Sequence, residues 1–251
     1  MERGDEVTEH TVHVAGTIKV PASAASGEAD TSALMLGDLL EHDDPLSHLA
    51  LKYGTDKGRD HWYTPHYHRR FAEMRKDPVT LLEIGIGGYG DPSGGGKSLR
   101  MWREYFTQGV IVGLDITPQD PVEGCFVELG DATDNRVLNH LGETYGPFDI
   151  VIDDGSHVSE DILRAWVGLW GYVKPGGWYV IEDLGTAYMD QYGGSSRRTG
   201  DTTIGFLQGL IDRIHWHHFE IPNYTPNRFD QTVVGLEIAE NIAFIRKGDN
   251  A

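Results

Sequence analysis

Seven carboxylates stand where short apolar runs give way to loops: Glu83, Asp115, Asp131, Asp153, Asp154, Glu182 and Asp183. The first of them precedes the glycine-rich run Gly85-Ile86-Gly87-Gly88-Tyr89-Gly90, and Asp154 lies three residues before His157. Carboxylates can grip a cation, accept hydrogen bonds from hydroxyl groups or hold a proton. An imidazole moves protons near neutral pH, and glycines let the backbone come close to a ligand. One acid at the end of a strand is unremarkable. Acids at the ends of all the predicted parallel strands are not explained by solubility.

The elements that carry these residues are legible from Val79 onward. Val79 to Ile84 is a short apolar run ending in glycines, the pattern of a buried parallel strand. Val110 to Leu114, Cys125 to Leu129, Phe148 to Ile152 and Trp178 to Ile181 repeat it. Between them, Ser98 to Phe106, Thr133 to Tyr145 and Val158 to Val173 read as helices, with Ser98 placed to cap the first and Lys174-Pro175-Gly176-Gly177 stopping the last. Thr232 to Ile238 and Asn241 to Arg246 read as a hairpin. The expected fold is α/β: a Rossmann-like, doubly wound sheet with an antiparallel C-terminal hairpin. Ligands of such sheets bind at the carboxyl ends of the strands, where the acids fall. The expected organisation is an N-terminal arm over residues 1–30, with one strand within Val12 to Val20. A helical extension follows over residues 31–78, containing helices from Thr31, from Pro45 and from Trp62 to Arg75. The α/β domain covers residues 79–251.

The glycine run supports three readings. It matches G-x-G-x-x-G letter for letter, but a nicotinamide site needs its third glycine inside the opening helix. Here Asp91-Pro92-Ser93-Gly94-Gly95-Gly96 delays any helix to about Lys97. Gly96-Lys97-Ser98 resembles the end of a phosphate-binding loop, yet the opening glycine of that motif falls on Asp91, which would repel a triphosphate. The third reading takes Glu83-Ile84-Gly85-Ile86-Gly87 as the loop of a cationic, phosphate-free cofactor, S-adenosylmethionine. Asp115 then accepts the ribose hydroxyls, and Asp131 sits by the adenine amino group. The same acids read blandly are salt-bridged strand ends.

Further segments carry a resemblance. Leu51-Lys52-Tyr53-Gly54-Thr55-Asp56-Lys57-Gly58, Leu82 to Tyr89, Ser98-Leu99-Arg100-Met101-Trp102, Gly113-Leu114-Asp115-Ile116, Ile152-Asp153-Asp154-Gly155-Ser156-His157 and Ile181-Glu182-Asp183-Leu184 together resemble the metal-dependent sugar O-methyltransferases of natural-product biosynthesis. They are also similar to cephalosporin hydroxylase-like proteins. The resemblance runs from about Leu46 to Gly248 and leaves the first 30 residues outside. It implies a methyltransferase sheet and the cofactors S-adenosylmethionine and Mg²⁺. The implied acceptor is a small-molecule glycoside of antibiotic biosynthesis, and the implied assembly is a homo-oligomer, dimer or tetramer. It places Tyr53, Thr55, Glu83, Gly85, Gly87, Ser98, Asp115, Asp131 and Asp153 on the cofactor and makes Asp154, Glu182 and Asp183 the metal ligands. Three carboxylates form a hard-oxygen site that suits Mg²⁺ over Zn²⁺. His157, beside Asp154, is the candidate general base, since a free imidazole titrates near 6.5. It could instead cap the helix opening at Val158. A catechol-like phenol also chelates through adjacent oxygens, so a phenol O-methyltransferase is an alternative, as is a catalytically silent S-adenosylmethionine-binding protein.

Composition limits the partners. A net charge of −18 opposes nucleic acid, which needs a basic face, and suits a cation. No run of about 20 apolar residues is present to span a membrane. The first 30 residues carry no signal pattern, which leads to the expectation of a cytoplasmic protein. One cysteine, Cys125, rules out a disulfide framework. His61, His66 and His68, and His215, His217 and His218, lack the spacing and companion ligands of a zinc site. Residues 187–202 have no element of their own and could serve as a lid, with Gly185 as its hinge.

Overall fold

The computed structural model describes residues 10–14, 16–20, 44–196 and 201–250. The chain forms two compact units, Met1–Asp43 and Asp44–Ala251. In the first, β1 (His10–Val14) pairs antiparallel with β2 (Gly16–Val20). Two paired strands thus replace the one expected within Val12 to Val20, and pairing satisfies backbone groups that a lone strand would leave open. The helix expected from Thr31 lies outside the described residues.

The second unit opens with α1 (Pro45–Tyr53), α2 (Asp56–Arg59) and α3 (Tyr63–Phe71). Asp44 caps α1 through its Oδ1, which accepts from the backbone N–H groups of Leu46 and Ser47 at 2.8 and 2.9 Å. Gly54, at φ 67°, ends the helix in the left-handed region. Then come β3 (Thr80–Ile84), α4 (Lys97–Tyr105), β4 (Val110–Asp115), β5 (Phe126–Leu129), α5 (Asn135–Thr144), β6 (Phe148–Asp153), α6 (Ser159–Leu169), β7 (Val173–Ile181), α7 (Thr203–Ile214), β8 (Val233–Ala239) and β9 (Ile242–Lys247). The sheet order is β5-β4-β3-β6-β7-β9-β8, parallel through β7 and antiparallel over the last two pairs. This is the doubly wound sheet with an antiparallel hairpin that the sequence predicts. No helix among the described residues is long and apolar enough to cross a membrane.

Each central strand is apolar on both sides because each face carries its own core. Leu81, Ile111, Ile150, Ile152, Val180 and Phe244 pack under α1, α3 and α4 with Tyr67, Phe71, Leu99 and Trp102. Leu82, Val112, Val151, Tyr179, Ile181 and Ile245 pack with Leu138, Trp166, Leu169 and Leu207 on the opposite face. Alternate residues go to opposite faces, as the two-residue period of a strand requires.

Two local expectations change. Ser98 does not cap α4: Gly96 holds the N-cap position at φ 71°, and Ser98 Oγ donates to Glu83 Oε2 at 2.7 Å. The helix after Val158 ends at Leu169 rather than Val173, and β7 begins early, at Val173. Val173 pairs with Phe148 and Trp178 with Ile150, and Lys174 Nζ binds Asp149 Oδ2 at 2.7 Å, so the Pro-Gly-Gly run lies within a bulged stretch of β7.

Candidate active site

The order of connection reverses between β3 and β6, which opens a crevice at the carboxyl ends of these strands. Register then does the positioning. Ile84 pairs with Asp153, and Asp153 pairs with Ile181. One residue further on, Gly85, Asp154 and Glu182 form a row along the sheet edge. Gly85 has φ 79°, and a Cβ there would stand 2.0 Å from the carbonyl oxygen of Asp154. Only glycine lets the β3 and β6 loops lie this close. Gly87 shares the left-handed backbone, but open space faces it. A cavity of about 870 Å³ fills this edge, lined by the glycine loop, Thr55, Lys57, Ser98, Asp115, Asp131, Asp153, Asp154, His157, Glu182 and Asp183.

The two-residue period divides the acids. Glu83, Asp154 and Glu182 turn to the face covered by α2 and α3, where Lys57 is 1 % exposed. Its ammonium lies 2.5 Å from Asp154 Oδ2, 2.8 Å from Glu182 Oε2 and 3.2 Å from Glu83 Oε1. Tyr67 donates to Glu182 Oε1. Burial opposes a charge on Lys57, but the three carboxylates outweigh it and hold the ammonium well above its usual range. Burial raises Asp154 and Glu182, with Lys57 offsetting only part of the effect. One ammonium faces three carboxylates, Glu83 and Glu182 buried and Asp154 half-buried at the cavity wall.

Asp183 sits at φ 56° and His157 at φ 58°. Left-handed backbone at two non-glycine residues is a strain that concentrates at functional sites. Tyr63 donates to Asp183 Oδ1 at 2.6 Å and Asn241 Nδ2 donates to it at 2.9 Å, leaving Oδ2 3.4 Å from His157 Nε2. Asn241 comes from the β8–β9 turn, so the edge hairpin braces the site. Asp154, His157 and Asp183 each offer a ligand atom, all within 4.8 Å of one another. Glu182 lines the same cavity behind them, held by Lys57 and Tyr67. His157 does not cap α6. Val158 stands at the N-cap, and Ser156 Oγ accepts from the Val158 N–H at 3.2 Å.

At the other end of the cavity, Asp115 Oδ2 accepts from the Ile86 N–H at 3.1 Å and Oδ1 from the Thr117 N–H at 2.8 Å. Asp131 Oδ1 accepts from the backbone and hydroxyl of Thr133, both at 2.7 Å. Thr55 and Ser98 reach the wall. Glu83 and Tyr53 are not among the lining residues: Glu83 is buried beneath the loop, and Tyr53 donates to Glu104. Lys57 stands in the Leu51–Gly58 segment that carries the resemblance, but nothing local gives it a role, and Tyr63, Tyr67 and Asn241 escape a reading of the sequence altogether. His61 Nδ1 comes within 3.7 Å of Asp183 Oδ1, whereas His68 binds the Tyr105 hydroxyl and His217 the Asn250 carbonyl. Short helical turns at Leu184–Tyr188 and Asp190–Tyr192 occupy the start of the expected lid, and residues 197–200 lie outside the described set.

Asp153 turns to the opposite face, accepts from the Tyr179 hydroxyl at 3.0 Å, and is pushed by burial up to about 7. An unfolded aspartate ionises near 3.9, so between about pH 4 and 7 the unfolded chain releases a proton that the folded chain keeps. Stability therefore falls as pH rises through that window. Asp153→Asn should remove this loss. In chelator, denaturant titrations from pH 5 to 8 should show the variant gaining about 2–3 kcal/mol relative to wild type. A gap that stays constant with pH would mean that the carboxylate is ionised throughout.

An open sheet with a reversed hairpin, a glycine loop after its first parallel strand and acids along one edge is the methyltransferase architecture. The chain matches no protein-family model. It is 44 % identical over 213 residues to mycinamicin VI 2''-O-methyltransferase of Micromonospora griseorubida, covering 82 % of this chain and 53 % of that protein. It is 41 % identical to demethylmacrocin O-methyltransferase of Streptomyces fradiae, covering 97 % of this chain and 65 % of that one. The solved structure of the MycE methyltransferase of the mycinamycin pathway, in complex with Mg and SAH, superposes with a TM-score of 0.79 at 37 % identity, over 96 % of this chain and 67 % of that one. The chain belongs to this family of sugar O-methyltransferases. It spans between half and two thirds of the length of these curated relatives.

Proposed function

We propose that the protein transfers a methyl group from S-adenosylmethionine to a sugar hydroxyl of a glycosylated secondary metabolite, with Mg²⁺ as its metal. The observation that carries this reading is the convergence of Asp154, His157 and Asp183 in the cavity that the glycine loop also lines. Asp154 and Asp183 offer carboxylate oxygens, which fit a hard divalent cation, beside the buried Glu83–Lys57–Glu182 cluster. Asp154, Glu182 and Asp183 would hold the ion. Bound there, it supplies Lewis acidity that lowers the pKa of an acceptor hydroxyl. A relative's complex with Mg, SAH and mycinamycin VI supports both ligands and the glycoside.

The chain's own residues supply the rest. Gly85 and Gly87 bring the loop backbone to the cofactor, Asp115 receives the ribose hydroxyls, and Asp131 stands by the adenine. Their acidity suits a ligand that carries ammonium and sulfonium charges and no phosphate. His157 takes the hydroxyl proton on Nε2 as the oxygen attacks the methyl carbon and the carbon–sulfur bond breaks. Asp183, 3.4 Å away, stabilises the imidazolium that forms. Tyr63 and Asn241 keep the Asp183 carboxylate turned for that contact.

Two measurements bear on this. Methyl-labelled S-adenosylmethionine offered with mycinamicin VI, demethylmacrocin and catechol should label a glycoside; label in catechol alone would move the acceptor class to phenols. Asp115→Ala should weaken S-adenosylmethionine binding by roughly 1.5–3 kcal/mol, the scale of hydrogen bonds to a charged group. Unchanged affinity by calorimetry would remove Asp115 from the ribose.

A further inference from the structure

Tyr89 has no place in the roles assigned above, and its position asks for one. It is 97 % exposed, at the tip of the excursion between β3 and α4. Its φ is +46°, a backbone conformation that bulky side chains rarely adopt. The excursion is braced: Gly87 bridges Gly95, and the Gly96 N–H donates to the Ile86 carbonyl at 2.7 Å. The ring is thus presented on a fixed arm while packing against nothing of its own.

Among the described residues, Tyr89 is the one tyrosine, phenylalanine or tryptophan lining the cavity. Asp56, His61, Asp154, His157 and Asp183 line the same cavity as Tyr89. A sugar that turns its hydroxyls toward Asp154, Asp183 and His157 leaves the C–H face of its ring uncovered. An aromatic side chain with two rotatable torsions covers such a face at small entropic cost. Binding pockets commonly combine a few placed polar groups with apolar and aromatic walls.

We propose that Tyr89 is an acceptor-binding residue whose ring stacks on the C–H face of the sugar held at the Asp154–His157–Asp183 edge. This rests on the methyl-transfer reading given above.

Tyr89→Ala, Tyr89→Gly and Tyr89→Phe decide it with every glycoside of the panel that wild type labels. In the alanine and glycine variants the acceptor KM should rise about 3- to 12-fold, the scale of one aromatic contact. Their kcat should stay within about twofold, and calorimetric affinity for S-adenosylmethionine should not change. The phenylalanine variant should match wild type. The thermal midpoint of the glycine variant should equal or exceed that of wild type, because glycine takes this backbone without strain. Normal acceptor KM in Tyr89→Ala overturns the proposal, as does a loss confined to donor affinity. A phenylalanine variant as weak as alanine overturns it as well, since the hydroxyl would then carry the effect. If wild type labels no glycoside, the sugar-acceptor reading falls and the stacking role falls with it; labelling with an unchanged KM defeats the stacking role alone.

Discussion

Dialysis against EDTA is expected to abolish methyl transfer, and added Mg²⁺ to restore it. Asp154 and Asp183 offer oxygens to one point, and burial pushes Asp154 and Glu182 toward protonation because one lysine cannot balance them. Replacing a ligand carboxylate by its amide keeps volume and removes charge. Asp154→Asn or Asp183→Asn should therefore raise the Mg²⁺ concentration needed for half-maximal activity sharply. Donor affinity should hold in both, because Asp115 and Asp131 lie at the opposite end of the cavity. Calorimetry with Mg²⁺ alone gives a second readout, with weaker binding in each variant. Full turnover in excess chelator would leave the three acids a purely structural part.

Removal of the His157 imidazole should lower kcat by about 10²- to 10⁴-fold, the usual worth of a positioned base. KM should change little, because proton transfer strengthens only in the transition state. The backbone at His157 is left-handed, so alanine adds strain there. His157→Asn is the cleaner variant, since asparagine tolerates that conformation and cannot act as a base. Wild-type turnover should fall on the acid side, where a general base cannot accept a proton, and both variants should lose that limb. A helix cap would behave otherwise, costing roughly 0.5–2 kcal/mol of stability and sparing turnover per folded molecule. The structure disfavours a cap, because Val158 and not His157 holds the N-cap position of α6. A variant with near-normal turnover and an intact acid limb would transfer the base to another group.

Much of the scaffold was readable because parallel strands buried on both faces are continuous apolar runs ended by glycine, proline or acid. The hairpin after Thr232 and the delayed helix at Lys97 could be seen for similar reasons: both are marked by local residue types. Boundaries slipped where tertiary contacts overrode local signals. The Pro-Gly-Gly run that should have stopped a helix lies in β7 because Val173 finds a partner in Phe148. Ser98 leaves the capping position because a buried Glu83 needs a donor more than the helix end does.

The sequence by itself determined which chemistry was available: acids at successive strand ends, glycines where backbones must touch, and an imidazole three residues beyond an aspartate. Tertiary structure alone decided how these groups are shared out. Glu83, Asp154 and Glu182 meet Lys57 because alternate strand residues face the same layer, whereas Asp153 turns to Tyr179. Lys57 lies 97 residues from Asp154 and 125 from Glu182, and Asn241 lies 58 from Asp183. Contacts across such spans follow from sheet order and register, and neither leaves a trace in the residues immediately around a lysine, a tyrosine or an asparagine. The Coulomb balance of the site inherits that dependence, since an ammonium acts on a carboxylate through distance in space and the low polarity of what lies between them.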